Sequence, residues 1–138
     1  MAGAPIDVLR QVPLFSSLDD GELSRLADRF RERSFGEGEH VVEEGATGTS
    51  FFVIAEGNAN VSVGGEQKGV LGTGDHFGEM AIMDEGVRSA SVTAATDLRS
   101  YFLTPWEFRP FVEEHPELAW KLLQSLARRL RAAQSGDS

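Results

Sequence analysis

The chain has 138 residues, a length that predicts a single domain with its own hydrophobic core. Its formal net charge of −9 argues against a dedicated nucleic-acid-binding protein, which usually presents a basic face. The absence of cysteine excludes disulfides, thiolate nucleophiles and cysteine metal sites, and it fits a reducing, cytoplasmic compartment. The sequence shows neither a long apolar run nor a secretory signal, so we expect no membrane span and no export.

The N-terminal part of the chain predicts helices. Ser17 and Asp20 have the spacing of a capping pair at a helix start. Apolar residues including Leu26 and Phe30 follow at helical spacing and give the segment one apolar face. We therefore place an N-terminal helical segment at residues 6–33.

Residues 35–103 consist of short runs rich in Val, Phe and Thr that glycines interrupt. Gly64-Gly65 lies between two such runs and is typical of a tight hairpin. This pattern predicts a mainly β fold, an antiparallel β jelly-roll barrel with flanking helices. The predicted strands are His40–Glu43, Ser50–Glu56, Asn58–Val63, Gln67–Leu71, Arg88–Ala94 and Asp97–Leu103.

Residues 104–134 predict C-terminal helices. Thr104 and Glu107 fit a capping box around Pro105 at the first helical position, and His115-Pro116 interrupts the helix. We expect Trp106 and Trp120 to pack within these helices, with Trp120 the more exposed of the two. Leucines then recur every four residues on the last helix: Leu118, Leu122, Leu126 and Leu130.

A loop, a short helix and a strand bring a carboxylate and a guanidinium to one segment, residues 77–92. Gly78 permits close approach of the backbone, and Glu79 begins a run of good helix formers. Arg88 then opens a predicted strand. The two charged residues can converge on one small anionic ligand, because a guanidinium binds phosphate through a planar fork and a helix start favours anions. A simple surface ion pair between Glu79 and Arg88 is the alternative.

The sequences Phe77-Gly78-Glu79-Met80-Ala81 and Arg88-Ser89-Ala90-Ser91-Val92 resemble, at matching spacing, the phosphate-binding cassette of the cyclic nucleotide-binding domain family. Val87 stands where many members of that family have proline. The resemblance covers nearly the whole chain. It implies a single domain at 1–138, of the type found in the cAMP receptor protein, protein kinase A regulatory subunits and cyclic nucleotide-gated channels.

The resemblance also implies roles for individual residues. Glu79 would accept a hydrogen bond from the ribose 2′-hydroxyl, and Arg88 would bind the cyclic phosphate. Arg129 is the candidate lid on the purine base, since an arginine plane can stack on a ring; the alternative is a solvated helix face. The full ligand-binding set implied is Phe77, Gly78, Glu79, Met80, Ala81, Arg88, Ser89, Ala90, Val61, Val63 and Arg129.

We therefore expect a cyclic nucleotide sensor that binds cAMP in preference to cGMP, because Ser89 after the arginine resembles bacterial cAMP-binding relatives. Binding would move the C-terminal helix and act on an unknown protein effector or through a homodimer. One alternative is a degenerate barrel that serves only as a protein-interaction domain. Another is an excised fragment of a larger regulated protein, although Met1 and the polar tail favour a complete one.

A metal-dependent barrel enzyme would need clustered histidine and carboxylate ligands. The three histidines His40, His76 and His115 form no such pair in the sequence, so we expect no catalytic residue, no metal and no cofactor. We interpret His76, beside the cassette, as a turn histidine at the barrel edge.

Overall fold

The computed structural model describes residues 3–43, 45, 50–79 and 90–134. The strands among these residues are β1 (Arg31–Phe35), β2 (His40–Val42), β3 (Phe51–Glu56), β4 (Ala59–Val63), β5 (Glu66–Leu71), β6 (His76–Phe77), β7 (Ser91–Ala94) and β8 (Leu98–Leu103). They form two 4-stranded sheets, ordered β1–β8–β3–β6 and β2–β7–β4–β5, in which all paired strands are antiparallel. The mainly β, antiparallel fold class with flanking helices is thus confirmed.

Helices flank the sheets at both ends of the chain. They are α1 (Ile6–Arg10), a 3₁₀-helix (Pro13–Phe15), α2 (Asp20–Ala27), α3 (Pro105–Glu114) and α4 (Pro116–Gln134). The break between α3 and α4 falls at His115, as the sequence predicts. Among the described residues, none of these helices combines the length and the apolar character needed to cross a membrane.

The N-terminal helical segment is shorter than predicted. Helix α2 ends at Ala27, and the chain enters β1 at Arg31, where Arg31 pairs with Phe102 of β8. Residues 31–33 are therefore a strand and not helix, because backbone pairing with a distant strand overrides their local helix preference. The exposed side chains of this strand explain why its sequence carries no strand signal.

Helix α2 begins two residues after the predicted site. Asp19, not Ser17, is the N-cap: its Oδ1 accepts from the Glu22 backbone N–H at 2.8 Å. Glu22 Oε1 in turn accepts from the Asp19 backbone N–H at 3.0 Å, which completes a capping box. A cap of this kind stabilises a helix by about 1 kcal/mol, so Asp19 fixes where α2 begins.

Strand β3 is buried on both faces and divides the core in two. Phe51 and Val53 belong to a cluster with the N-terminal and C-terminal helices, whereas Phe52 and Ile54 belong to a cluster between the two sheets. This follows from the period of two along a strand. Strand β3 therefore packs against the helices with one face and against the interior of the β sandwich with the other.

The β4–β5 hairpin turns at Gly64-Gly65, where both residues have positive φ of 60° and 82°. A two-residue turn with positive φ at both positions matches the twist of the strands and favours glycine. The predicted hairpin is thus confirmed.

The C-terminal helices differ from the prediction in their tryptophans. Trp106 is 74% exposed and Trp120 is 62% exposed, so the expectation that both pack was wrong, and Trp106 is the more exposed. Phe108, Phe111, Leu118 and Leu122 supply the buried contacts instead. At the start of α3, the Thr104 hydroxyl bonds the Glu107 carboxylate at 2.8 Å and does not cap the backbone, so the expected capping box is absent.

Candidate ligand-binding site

The cassette begins at the edge strand β6, which the core holds firmly. Phe77 pairs with Phe52 of β3, and the two rings stack at 5.0 Å between centroids with planes 6° apart. Gly78 follows with φ of 103°, a conformation that favours glycine and turns the chain out of the strand. The buried Phe77 and the turn at Gly78 together fix the position of the next residue, Glu79.

Glu79 is a buried carboxylate, with its side chain 1% exposed. Arg129 of α4 reaches it from a half-exposed position, with Nη1 2.8 Å from Oε2. Within the described residues, neither carboxylate oxygen accepts a well-aligned hydrogen bond, so this contact is mainly electrostatic. Buried carboxylate oxygens normally find hydrogen-bond donors. The Glu79 carboxylate therefore retains the capacity to accept a hydrogen bond from a ligand hydroxyl.

His76 is a further polar side chain beside Glu79. Its Nε2 lies 3.8 Å from Glu79 Oε1, and its ring packs against Phe51 at 5.4 Å between centroids. Burial lowers the pKa of His76 below its usual range; the Glu79 carboxylate opposes this shift and the Arg129 guanidinium adds to it. His76 is thus neutral at neutral pH. It lies on the edge strand β6 and not in a turn, so sequence reasoning misplaced it.

Sequence reasoning missed the contact between His76 and Glu79, for which the spacing of the two residues was a weak signal. His76 and Glu79 are three residues apart, across the single turn that Gly78 permits. Their proximity required the strand-to-turn geometry, which sequence patterns did not reveal.

The other candidate residues fall into two groups. Val61 packs against the cluster between the sheets, whereas Val63 lies at the exposed end of β4, and Ala90 is half-buried just before β7. Met80, Ala81, Arg88 and Ser89 lie outside the described residues, as does most of the predicted short helix. The structure therefore brings Phe77, Gly78, Glu79 and Arg129 together, and the roles assigned to the whole set stay predictions.

Metal binding finds no support in the described ranges, which hold no cluster of three or more histidine or acidic side chains arranged around one point. The chemistry available is instead that of a carboxylate acceptor, a guanidinium and a neutral imidazole, close together at the edge of a β sandwich.

The model of the family described as "Cyclic nucleotide-binding domain" matches residues 32–115 of this sequence. The match runs from the second residue of β1 through β8 and includes the cassette and helix α3. The chain therefore belongs to the cyclic nucleotide-binding domain family, as the cassette sequence predicts.

Relatives in this family come from several kinds of regulatory protein. The chain is 41% identical over 91 residues to the cAMP-dependent protein kinase regulatory subunit of Mycosarcoma maydis, covering 63% of this chain and 17% of that one. It is 32% identical over 126 residues to the cyclic AMP receptor protein of Thermus thermophilus, covering 88% and 58%. The chain thus spans between a sixth and about three fifths of the length of these relatives.

A solved structure gives the same result for the fold. The catabolite activator protein of Thermus thermophilus superimposes with a TM-score of 0.81 at 31% identity, over 88% of this chain and 60% of that one.

Proposed function

We propose that this protein is a cAMP-binding regulatory module that binds its ligand without transforming it and passes the signal through α4. The observation that carries the proposal is Glu79, a buried carboxylate at the first turn of the cassette to which no described residue donates an aligned hydrogen bond. A ribose 2′-hydroxyl is a neutral donor that matches this acceptor. Arg88, nine positions later, would neutralise the cyclic phosphate.

The choice of cAMP over cGMP rests on two supports. Ser89 follows the arginine, as in bacterial relatives that the cassette resembles. The relatives reported above are themselves named for cAMP. The second support is the broader one, because it draws on similarity along most of the chain.

The ion pair between Glu79 and Arg129 supplies the route from the ligand to α4. A ligand that bonds Glu79 must either share this carboxylate with Arg129 or displace it. Both outcomes change the free energy with which α4 docks, so ligand binding and helix position are coupled. The edge of a guanidinium can pair with a carboxylate while its face stacks on a base, which keeps the proposed lid role of Arg129 compatible with this contact.

The output of α4 is proposed to be a homodimer or a separate protein effector. Trp120, Leu123 and Leu130 are exposed on this helix and lie, with Ala127, at alternating spacings of three and four residues. That spacing is typical of a coiled-coil seam. The division of the chain into N-terminal helices, a β region with the cassette and C-terminal helices is part of the same proposal.

Isothermal titration calorimetry of the purified chain with cAMP, cGMP and cyclic di-GMP tests the proposal. We expect saturable binding of cAMP, weaker binding of cGMP and none of cyclic di-GMP. Arg88→Leu should cost roughly 2–4 kcal/mol of binding free energy, because the phosphate loses a charge-assisted fork.

The matched control is Arg29→Leu, which removes an exposed arginine outside the cassette and should leave the affinity unchanged. Equal affinity in Arg88→Leu and wild type would refute the site. The absence of heat with all three nucleotides would favour the degenerate, interaction-domain alternative.

A further inference from the structure

A cavity beside His76 lies between the 3₁₀-helix and α4. Its volume is about 230 Å³. Pro13 and Leu14 contribute from the 3₁₀-helix, Ser16 from its end and His76 from β6, and one face of α4 completes the lining. The α4 residues are Lys121, Gln124, Ser125 and Arg128.

The α4 residues lie on one helical face, at positions i, i+3, i+4 and i+7, so their side chains converge on the same space. Lys121 and Arg128 carry positive charge, and no carboxylate of the described residues lines the cavity. Within the described part of the chain, neither cation forms an ion pair. Two such cations therefore line one cavity, in a chain with a formal net charge of −9.

Neutral donors complete the set. The hydroxyls of Ser16 and Ser125 and the amide of Gln124 can each donate a hydrogen bond to an oxyanion. These groups come from two separate elements, the end of the 3₁₀-helix and α4, so a bound anion would be held from both sides. The cavity is large enough for a phosphate-sized anion together with part of its hydration shell.

His76 gives the cavity a reporter group. Its imidazole is largely buried, and its pKa is lowered chiefly by that burial. An anion placed beside the ring favours the protonated form and opposes this shift. His40 and His115 do not line the cavity, so a change confined to His76 would mark binding at this place.

We propose that this cavity is a binding site for a small oxyanion, a phosphate or carboxylate group, distinct from the proposed cyclic nucleotide site. Lys121 and Arg128 neutralise the anion, and Ser16, Gln124 and Ser125 donate hydrogen bonds to it. The proposal rests on the cavity and its charges and does not depend on cyclic nucleotide binding.

Histidine Cε1–H signals in NMR spectra, followed during titration of the full chain, test this proposal. The probes are inorganic phosphate and citrate, each added at constant ionic strength against chloride, so that a phosphate-selective site is distinguished from a carboxylate-selective one. We expect a saturable shift of the His76 signal in the millimolar range with at least one probe. The double variant Lys121→Gln/Arg128→Gln should weaken that binding at least tenfold.

The matched control Arg131→Gln removes the same type of charge from an exposed position of α4 outside the cavity lining and should keep the binding. Arg88→Leu should keep it as well, which separates this site from the cassette. The proposal is overturned if neither probe shifts His76 saturably, or if the double variant binds as wild type does. Loss of phosphate binding in Arg88→Leu alone would place the phosphate in the cassette and would also overturn it.

Discussion

The guanidinium of Arg129 lies against the carboxylate of Glu79, with Nη1 2.8 Å from Oε2, and joins α4 to the turn that follows the edge strand β6. The carboxylate is buried and the guanidinium is half-exposed. Burial of a lone charge is costly, so Arg129 offsets part of the desolvation cost of Glu79. The position of α4 and the charge balance of the candidate site therefore depend on each other.

Removal of this contact should destabilise the fold. We expect Arg129→Gln to lower the free energy of unfolding by about 1–2 kcal/mol, because Glu79 stays buried without its partner. The expected loss of unfolding free energy is modest because Arg129 is 49% exposed and solvent screens the pair. Urea denaturation measures it, with Arg131→Gln as the control on the same helix. A loss no larger than that of the control would contradict a stabilising role for the pair.

A double-mutant cycle isolates the contact itself. Glu79→Gln, Arg129→Gln and the combined variant should show a favourable coupling free energy of about 0.5 kcal/mol or more, as contacting residues do. Additive effects would mean that the short distance carries no net interaction.

The pH dependence of the free energy of unfolding should reveal the lowered pKa of His76. Its pKa is lowered in the folded state, chiefly by burial, while Glu79 and Asp75 oppose the shift and Arg129 adds to it. The unfolded chain therefore binds a proton more readily than the folded one below about pH 6.5, and stability falls as the pH drops through that range. The non-titrating variant His76→Gln should lose less stability on acidification.

Urea denaturation at a series of pH values checks this expectation. The difference in unfolding free energy between the two proteins should be constant above about pH 7.5, where the imidazole is neutral in both states. Below about pH 6.5 it should move in favour of the variant. A difference that stays constant across the whole range would rule out a lowered pKa at His76.

Local signals were sufficient to predict much of the β region. Glycine turns and short β-branched runs predicted strands that coincide closely with β2 to β5 and β8, and the end of one predicted strand coincides with β7. The turn at Gly64-Gly65 follows from the conformation that only such residues adopt easily. These features depend on neighbours in sequence, which is why the sequence revealed them.

Features that depend on distant partners were missed. Strand β1 has largely exposed side chains and exists because it pairs with β8, about seventy residues away. Strand β6 has only two residues, too few for a periodic pattern. The cassette sequence indicated Glu79, but its pairing with Arg129 required the docking of α4, which no local pattern encodes.

The stacked pair Phe52–Phe77 should support the start of the cassette. We expect Phe77→Leu to lower the free energy of unfolding by about 1–2 kcal/mol, because the smaller side chain loses ring contacts in the cluster between the sheets. The same variant should weaken cAMP binding, since Phe77 holds the chain that leads to Glu79. Calorimetric titration under conditions where the variant is folded measures the second effect. Unchanged affinity in the folded variant would show that the cassette does not depend on this anchor.

The exposed apolar residues of α4 should drive self-association. Leu123 and Leu130 are 57% and 59% exposed and share a helical stripe with Trp120, so a second copy of the chain can cover them. Light scattering coupled to size-exclusion chromatography should give a dimer mass that falls towards the monomer on dilution. Leu123→Glu/Leu130→Glu should give the monomer at every concentration, because charge in an apolar seam is costly to bury. Val70→Glu, on the exposed part of β5, is the control and should remain dimeric. A monomeric wild type at all concentrations would exclude the homodimer and leave a separate effector as the partner of α4.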